Sequence, residues 1–318
     1  MKPEVLMLSP ILIASINEEL DRLYTVRRYF EQQDKPAYLR EFGAQIRGVV
    51  SGGHTGISAA VMAQLPALEV VAVNGVGTDA VDLPYARSRG IHVTATLGAL
   101  TDDVADLAIG LLIAACRGLC TGDRLVRSGG WASSATPLAP LPLARKFSGM
   151  RVGIVGMGRV GRAVATRAAA FGCPVSYTDL GPMDDVPYHY VDSLVQLAAD
   201  SDALILAAAA DKAEGIVNAA VLDALGPQGF LVNIARGRLV NEADLVAALS
   251  AGRIAGAGLD VFADEPHVPA ALLALDCVAL QPHRASATLE TRTAMGKMVL
   301  ASLAQALAGF KPESSLTT

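Results

Sequence analysis

Short, almost uninterrupted apolar runs alternate along the chain with stretches whose apolar residues recur at helical spacing. Val5 to Ile13, Gly48 to Ser51, Val70 to Asn74 and Ile91 to Thr94 predict strands, while Ile57 to Gln64 and Asp79 to Arg89 predict helices between them. This βαβα rhythm predicts a parallel sheet with helices on its faces. Residues 101–127 predict one long helix joining two domains, with Thr101 as N-cap, Asp102 and Asp103 at the positive dipole end, and Gly129-Gly130 closing it. Residues 131–149, with Trp131, Pro137, Pro140 and Pro142, have no period and read as an ordered connecting arm with a candidate partner surface. The rhythm then restarts, with strands predicted at Arg151 to Val155, Val175 to Thr178, Ala203 to Ala207, Phe230 to Ile234, Gly256 to Val261 and Val278 to Gln281. These runs are apolar on both faces, as strands covered on both sides must be. A last helix, Ala287 to Ala308, is expected to pack back on the first domain.

Composition narrows the classes of function. The 318 residues carry 26 Lys plus Arg against 31 Asp plus Glu, a net charge of -5, with 52% hydrophobic and 18% charged residues. Mean hydropathy is +0.39 and the isoelectric point about 5.6. A disordered chain is excluded, and the absence of a basic run argues against nucleic acid or an anionic membrane as partner. At about 150 residues per domain the length predicts two domains. Leu107 to Cys116 and Ala203 to Ala210, the longest uncharged apolar runs, fall short of the roughly 20 residues a membrane-spanning helix needs. The N-terminus, with an acid and two prolines in its first ten residues, reads as a strand rather than a leader. Cys116, Cys120, Cys173 and Cys277 form no C-x-x-C and pair with no His. They are expected to be buried thiols in a reducing cytoplasm, with no metal site.

The chemistry begins at Arg151-Val152-Gly153-Ile154-Val155-Gly156-Met157-Gly158-Arg159-Val160-Gly161, a strand running into G-x-G-x-x-G and then an alanine-rich helix, Arg162 to Phe171. With 30 glycines in the chain, about a quarter of such a match arises by chance, so the strand–turn–helix context carries the assignment. Gly156 is expected to make the tight turn, Gly158 to let backbone amides approach a pyrophosphate, and Gly161 to let helix and strand pack closely. The expected fold class is therefore α/β, two doubly wound parallel-sheet (Rossmann-like) domains with a cleft between them. The next strand ends in Asp179, where a carboxylate would accept hydrogen bonds from an adenosine ribose diol and repel a 2′-phosphate. That favours NAD over NADP, although a solvated strand-end Asp is the alternative, and Arg162 or Arg167 would still tolerate a phosphate.

Three further residues follow predicted strands, where ligands collect in doubly wound sheets. Arg236 follows Leu231 to Ala235, Glu265 follows Leu259 to Phe262, and His283 follows Ala279 to Pro282. Singly, each would more often be structural or solvated. Together they are what reduction of a 2-oxo acid requires: a guanidinium for a planar carboxylate, an imidazole as proton donor, and a carboxylate to orient the imidazolium.

These residues resemble the D-2-hydroxyacid dehydrogenases, in particular the hydroxyphenylpyruvate, glyoxylate and hydroxypyruvate reductases, over nearly the whole chain. The most specific pieces are Asn74 to Asp79, Leu100 to Ala108, the glycine fingerprint, Asn233 to Gly237, Gly258 to Phe262 with Glu265-Pro266, and Pro282-His283 followed by Ser286 and Thr288. The resemblance implies that Arg236 holds the substrate carboxylate, that His283 protonates the carbonyl oxygen, and that Glu265 pairs with His283 and favours its charged form. It implies a second carboxylate clamp at the amides of Val76 and Gly77, with Ser51 and Gly52 lining the same cleft and Asp260 meeting the nicotinamide carboxamide. Thr101, Met157, Gly158, Arg159, Val160, Asp179, Ile234, Ala235 and Ala285 would contact the cofactor, NAD by preference and NADP as an alternative. It further implies a substrate-binding, flavodoxin-like domain of residues 1–98 plus 286–318, an inserted Rossmann domain of residues 99–285, and a homodimer in which Trp131 reaches the neighbour's site.

The chain departs from the family pattern at four places. Thr96-Leu97-Gly98 and Ala207 to Asp211 stand where the family usually has prolines, which bears on the hinge and adenine contacts. Ala285 replaces a common glycine, which tightens the nicotinamide pocket. Asp179-Leu180 stands where NADP users often have Ser-Arg. His54 reads as a solvated loop residue, and Cys116 and Cys120, at i,i+4 spacing, as core residues of one helix. The expected activity is reduction of glyoxylate, hydroxypyruvate or larger aryl pyruvates to the D-2-hydroxy acid. A cofactor-sensing regulatory protein of the same fold is the alternative.

Overall fold

A computed structural model describes residues 2–137, 141–209 and 213–317; Pro140 of the arm and Ala210 and Asp211 of the alanine run lie outside them. The chain divides into two compact units, Met1–Leu100 with Ser286–Thr318, and Thr101–Ala285.

In the first unit β1 (Glu4–Met7), β2 (Thr25–Arg28), β3 (Ile46–Gly52), β4 (Val70–Asn74) and β5 (His92–Ala95) form a parallel sheet of order β2-β1-β3-β4-β5. Successive side chains point to opposite faces. Val5, Met7, Val50, Val70 and Ala72 therefore meet Ile16, Leu20, Val299 and Leu303, while Leu6, Val49, Val71 and Val93 meet Leu39, Met62 and Leu65. Both faces are covered, which is why these runs are apolar throughout. The last helix, Leu289–Leu307, starts from a Thr288 cap that accepts from the Thr291 amide at 3.1 Å and packs on β3, β4 and β5.

The second unit holds β6 (Val152–Val155), β7 (Val175–Thr178), β8 (His189–Tyr190), β9 (Ala203–Leu206), β10 (Phe230–Asn233), β11 (Gly256–Leu259) and β12 (Val278–Leu280), all parallel. Their order is β12-β11-β10-β9-β6-β7-β8. Every residue of β6, β9, β10 and β11 is buried. The chain runs outward from β6 through β7 and β8 and returns to β9 on the other side. The crevice beyond the ends of β6 and β9 is thus the switch point at which such sheets bind ligands.

Five expectations are corrected. The first strand ends at Met7 rather than Ile13, because Pro10 has no N–H to continue a ladder. The sequence pattern passed over the edge strands β2 and β8: Thr25–Arg28 has no fully buried residue and β8 is two residues long. The helix expected over 101–127 is two, Thr101–Arg117 and Leu119–Arg127, bent by 64°. Gly118 sits between them at φ 60°, a left-handed conformation that glycine adopts without a Cβ penalty. Cys116 and Cys120 consequently lie on different helices, Cys116 buried and Cys120 half-buried. Thr101 is the first residue of its helix, not the cap.

Helix Thr101–Arg117 packs on β10, β11 and helix Arg159–Ala170. Gly258 permits this, since a Cβ there would come within 2.8 Å of Leu111 Cβ. Among the described residues no single helix is long and apolar enough to cross a membrane. In the arm, Trp131 is half exposed and its Nε1 donates to the Pro137 carbonyl at 2.8 Å. Burial pushes the thiols of Cys116, Cys173 and Cys277 up from their ordinary value, against reactivity.

Candidate active site

The turn after β6 carries the glycine fingerprint, and its three glycines are distinguishable by what surrounds them. Gly156 has φ 93° and a Cβ there would lie 2.5 Å from Ala208 Cα. A Cβ on Gly161 would run into the Gly156 carbonyl oxygen. A Cβ on Gly158 would meet nothing within 4 Å. The first and third glycines are thus required by the fold itself. Gly158 faces open space at the start of helix Arg159–Ala170, where exposed Arg159 and half-buried Val160 follow. This fits a dinucleotide: the position that would clash with nothing in the protein is the one that a pyrophosphate must approach, at the positive end of a helix dipole.

Asp179, just past β7, is half-buried and already engaged. Its Oδ2 accepts from the Met157 amide at 2.6 Å and its Oδ1 from the Leu180 amide at 2.7 Å. The Met157 side chain is fully buried, so Met157 braces the turn through its backbone. Both arginines considered as phosphate ligands are paired. Arg162 meets Asp185 through two hydrogen bonds of 2.9 Å, and Arg167 meets Asp102 at 3.0 Å and Asp106 at 2.5 Å.

Beyond β10, β11 and β12 the structure brings Glu265 and His283 together and sets Arg236 at the end of the neighbouring strand. His283 Nδ1 lies 2.9 Å and 3.1 Å from the two Glu265 oxygens. Glu265 Oε1 also accepts from the Phe262 amide at 3.0 Å, which fixes the carboxylate before the imidazole reaches it. Glu265 thus engages Nδ1, one of the two chemically distinct ring nitrogens of His283. His283 is the one described non-glycine residue with positive φ, 50°. Such a backbone costs on the order of 1 kcal/mol, and the surrounding bonds hold it: the His283 amide donates to the Asp260 carbonyl at 2.8 Å. The Asp260 carboxylate takes the Arg284 amide at 2.7 Å and the Ala285 amide at 3.0 Å. Burial pushes the Asp260 carboxyl above its ordinary value, against the lowering effect of those two amides.

Two residues outside the expected site complete this arrangement. Asn233, 1% exposed at the end of β10, donates from Nδ2 to the Arg236 carbonyl at 2.9 Å and accepts from the Ala235 amide at 3.0 Å. It closes the turn through buried Ile234 and Ala235 that presents Arg236, whose Nη1 rests on the Ala235 carbonyl at 2.7 Å. Gly237 lies so close to the Phe262 backbone that a Cβ would collide with it, which sets the Arg236 turn against the Glu265 loop. Both residues delimit the Asn233 to Gly237 stretch on which the family resemblance partly rests, but the resemblance gave neither a role, and residue type and spacing alone do not single out a strand-end Asn or a glycine beside an arginine. A cavity of about 250 Å³, lined by Phe262, Glu265, Pro266, Val268, Leu273, Leu280, Pro282 and His283 among others, opens beside the His283–Glu265 pair.

In the first unit, Ser51 and Gly52 end β3, and Val76 and Gly77 follow β4. Ser51 is buried and its Oγ donates to the Gly56 carbonyl at 2.7 Å. The two loops meet through glycines: a Cβ at Gly53 would lie 3.1 Å from the Gly77 oxygen, and one at Gly75 would lie 3.2 Å from the Gly53 nitrogen. His54 is exposed in this loop.

Residues 109–285 match the NAD-binding-domain model of the D-isomer specific 2-hydroxyacid dehydrogenases. The chain is 44% identical to hydroxyphenylpyruvate reductase of Plectranthus scutellarioides, covering 94% of each. It is 43% identical to a glyoxylate/hydroxypyruvate reductase of Arabidopsis thaliana, covering 98% of this chain and 97% of that protein. Among solved structures it resembles the NADPH-dependent glyoxylate/hydroxypyruvate reductase of Sinorhizobium meliloti in complex with NADP and malonate. The TM-score there is 0.88 and the identity 36%, over 99% of this chain and 97% of that one.

Proposed function

The chain belongs to the D-isomer specific 2-hydroxyacid dehydrogenases, an NAD(P)-dependent reductase of 2-oxo acids, and from that premise we propose its substrates, cofactor preference and residue roles. The substrates are small 2-oxo acids, glyoxylate and hydroxypyruvate first and aryl pyruvates behind them, reduced to the D-2-hydroxy acid. The similar proteins are reductases, so the alternative of a cofactor-sensing regulator is set aside.

The observation that carries the reading is the His283–Glu265 pair, held at 2.9 Å beside Arg236 on the sheet that bears the glycine turn. A bound reduced nicotinamide supplies the hydride. Arg236 pairs with the substrate carboxylate and draws electron density toward the 2-oxo oxygen, its planar donors matching both groups. His283 would donate its proton to the carbonyl oxygen as the carbon is reduced, with Glu265 holding the imidazole orientation throughout and, once the proton has left, its tautomer. Asp260 anchors the His283 loop and is assigned the nicotinamide carboxamide. Gly158, Arg159 and Val160 receive the pyrophosphate, while Thr101, Ile234, Ala235 and Ala285 complete the cofactor contacts. In the first unit Val76 and Gly77 are assigned the substrate carboxylate, with Ser51 and Gly52 shaping that loop.

Asp179 supports NADH as the preferred donor, because a carboxylate accepts from a ribose diol and repels a 2′-phosphate. Four unpaired cysteines support a reducing, cytoplasmic setting, and the family likeness supports a homodimer. The test is loss of reduced-nicotinamide absorbance with NADH or NADPH against glyoxylate, hydroxypyruvate, pyruvate and hydroxyphenylpyruvate. His283→Ala serves as control, with molar mass by light scattering alongside. Turnover unaffected in His283→Ala would sink the assignment of roles.

A further inference from the structure

We propose that Asp185 is a cofactor-specificity residue: by pairing with Arg162 it masks a cation that would otherwise attract a 2′-phosphate at the adenosine end of the dinucleotide site. The inference rests on the reading of that site as a dinucleotide site and deepens it. Arg162 and Asp179 flank the same residue of the glycine turn. The Met157 amide donates to Asp179 Oδ2 at 2.6 Å, while the Met157 carbonyl accepts from Arg162 Nε at 3.1 Å. A guanidinium thus stands one peptide away from the carboxylate that meets the ribose, on the first turn of helix Arg159–Ala170.

Left unpaired, that guanidinium would oppose Asp179, since a planar fork of donors is well matched to phosphate. It is not left unpaired. Asp185 engages both terminal nitrogens at 2.9 Å, and the pairing holds the Asp185 carboxyl below, and the Arg162 guanidinium above, its ordinary value. The ion pair is solvent-exposed on both sides, with side chains 37% and 73% accessible, so it adds little to stability. Its consequence is electrostatic: the Arg162 charge on the turn beside Asp179 is offset by Asp185.

The loop carrying Asp185 has a second anchor. The Met183 amide donates to the Tyr177 hydroxyl at 2.8 Å, and Met183 Sδ lies 3.3 Å from Arg162 Nη2. Tyr177 is 1% exposed at the core of β7. Loss of the Asp185 charge therefore unmasks Arg162 without releasing the loop. The remaining candidate, Arg167, is bound to Asp102, Asp106 and the Ala163 carbonyl and stays so in either case.

The experiment is equilibrium titration of wild type, Asp185→Asn and the Arg162→Gln/Asp185→Asn double variant with 5′-AMP and 2′,5′-ADP, which differ only in the 2′-phosphate. Asp185→Asn is expected to raise the preference for 2′,5′-ADP by about tenfold, the effect of one additional charge-assisted hydrogen bond to the ligand. The increase should shrink as ionic strength rises and vanish in the double variant. An Asp185→Asn preference within twofold of wild type, or an increase that survives loss of Arg162, overturns the proposal. The wild-type ratio judges the Asp179 reading separately: tighter wild-type binding of 2′,5′-ADP than of 5′-AMP sinks that reading, while the change on substitution still decides the role of Asp185.

Discussion

Replacing Asp260 with Asn removes one of the two acceptor oxygens that organise the His283 loop while leaving a side chain of the same shape. In the wild type each carboxylate oxygen accepts one backbone amide, from Arg284 at 2.7 Å and from Ala285 at 3.0 Å. Asn has one oxygen, so one amide keeps a weaker, neutral bond and the other faces an NH₂ group. Hydrogen bonds to charged groups contribute about 1.5–3 kcal/mol each. Against that loss stands relief from burying an ionised group, since Asp260 is 1% exposed and burial pushes its carboxyl up. Because the raised value means that burial outweighs the two amide bonds for the charged form, loss of the charge by itself is not destabilising; the cost is that of the buried amide left facing an NH₂ group, about 1–2 kcal/mol for an unsatisfied donor, which lowers kcat about five- to thirtyfold if the loop must be ordered for His283 to act. For a unit of this size it lowers the Tm by about 2–8 °C.

The pH dependence has a definite sign. Because the folded value of Asp260 lies above the unfolded one, its ionisation costs more in the folded protein. Its unfavourable contribution is complete above the folded value and is relieved as pH falls through that value toward the unfolded one. The Tm gap between wild type and Asp260→Asn should therefore widen in favour of wild type on acidification through and just above the ordinary carboxylate range. Steady-state reduction of glyoxylate and thermal unfolding across pH measure both effects. A variant with wild-type kcat and a Tm gap independent of pH would refute the reasoning.

Other expectations follow from the same local geometry. Gly158→Ala should fold with an unchanged Tm, because its Cβ meets nothing within 4 Å, yet lose dinucleotide affinity in titration calorimetry; Gly161→Ala, whose Cβ meets the Gly156 oxygen, should be destabilised by several kcal/mol or fail to fold. Glu265→Gln keeps an acceptor for His283 Nδ1 but not its charge, so kcat should fall by about tenfold with nucleotide affinity intact; equal losses in both would point to misfolding. Burial raises the Asp202 carboxyl, but the Arg151 side chain and amide, at distances of 2.9–3.2 Å, leave it lowered overall. Its stabilising contribution is thus present above the unfolded value and lost as pH falls through the folded one. Asp202→Asn should lower the Tm near neutrality and converge with wild type in acid; a constant gap would count against it.

The alternation of apolar runs and helical stretches was enough to predict parallel sheets, because strands covered on both faces are apolar throughout, and Val70 to Asn74 and Val175 to Thr178 coincide with β4 and β7. The strand-end placement of the glycine turn and of Arg236, Glu265 and His283 was legible for a related reason: the strands predicted before them end where the observed ones do to within a residue or two, which fixes where the following residues fall. Edge strands were not legible, since β2 needs no apolar face and takes its place from its partner's backbone groups. The break at Gly118 was not legible either, because a glycine within a helical pattern is compatible with continuation until packing selects its left-handed conformation. Apart from the Glu265–His283 pair, which the family resemblance implied, the sequence could not reveal which carboxylate meets which donor. That Asp260 holds the amides of residues 284 and 285, that Asn233 closes the Arg236 turn, and that Asp185 covers Arg162 follow from how the chain folds back on itself. Periodicity reports which side of an element faces the core. Only the folded backbone decides which polar groups, once inside or beside it, satisfy one another.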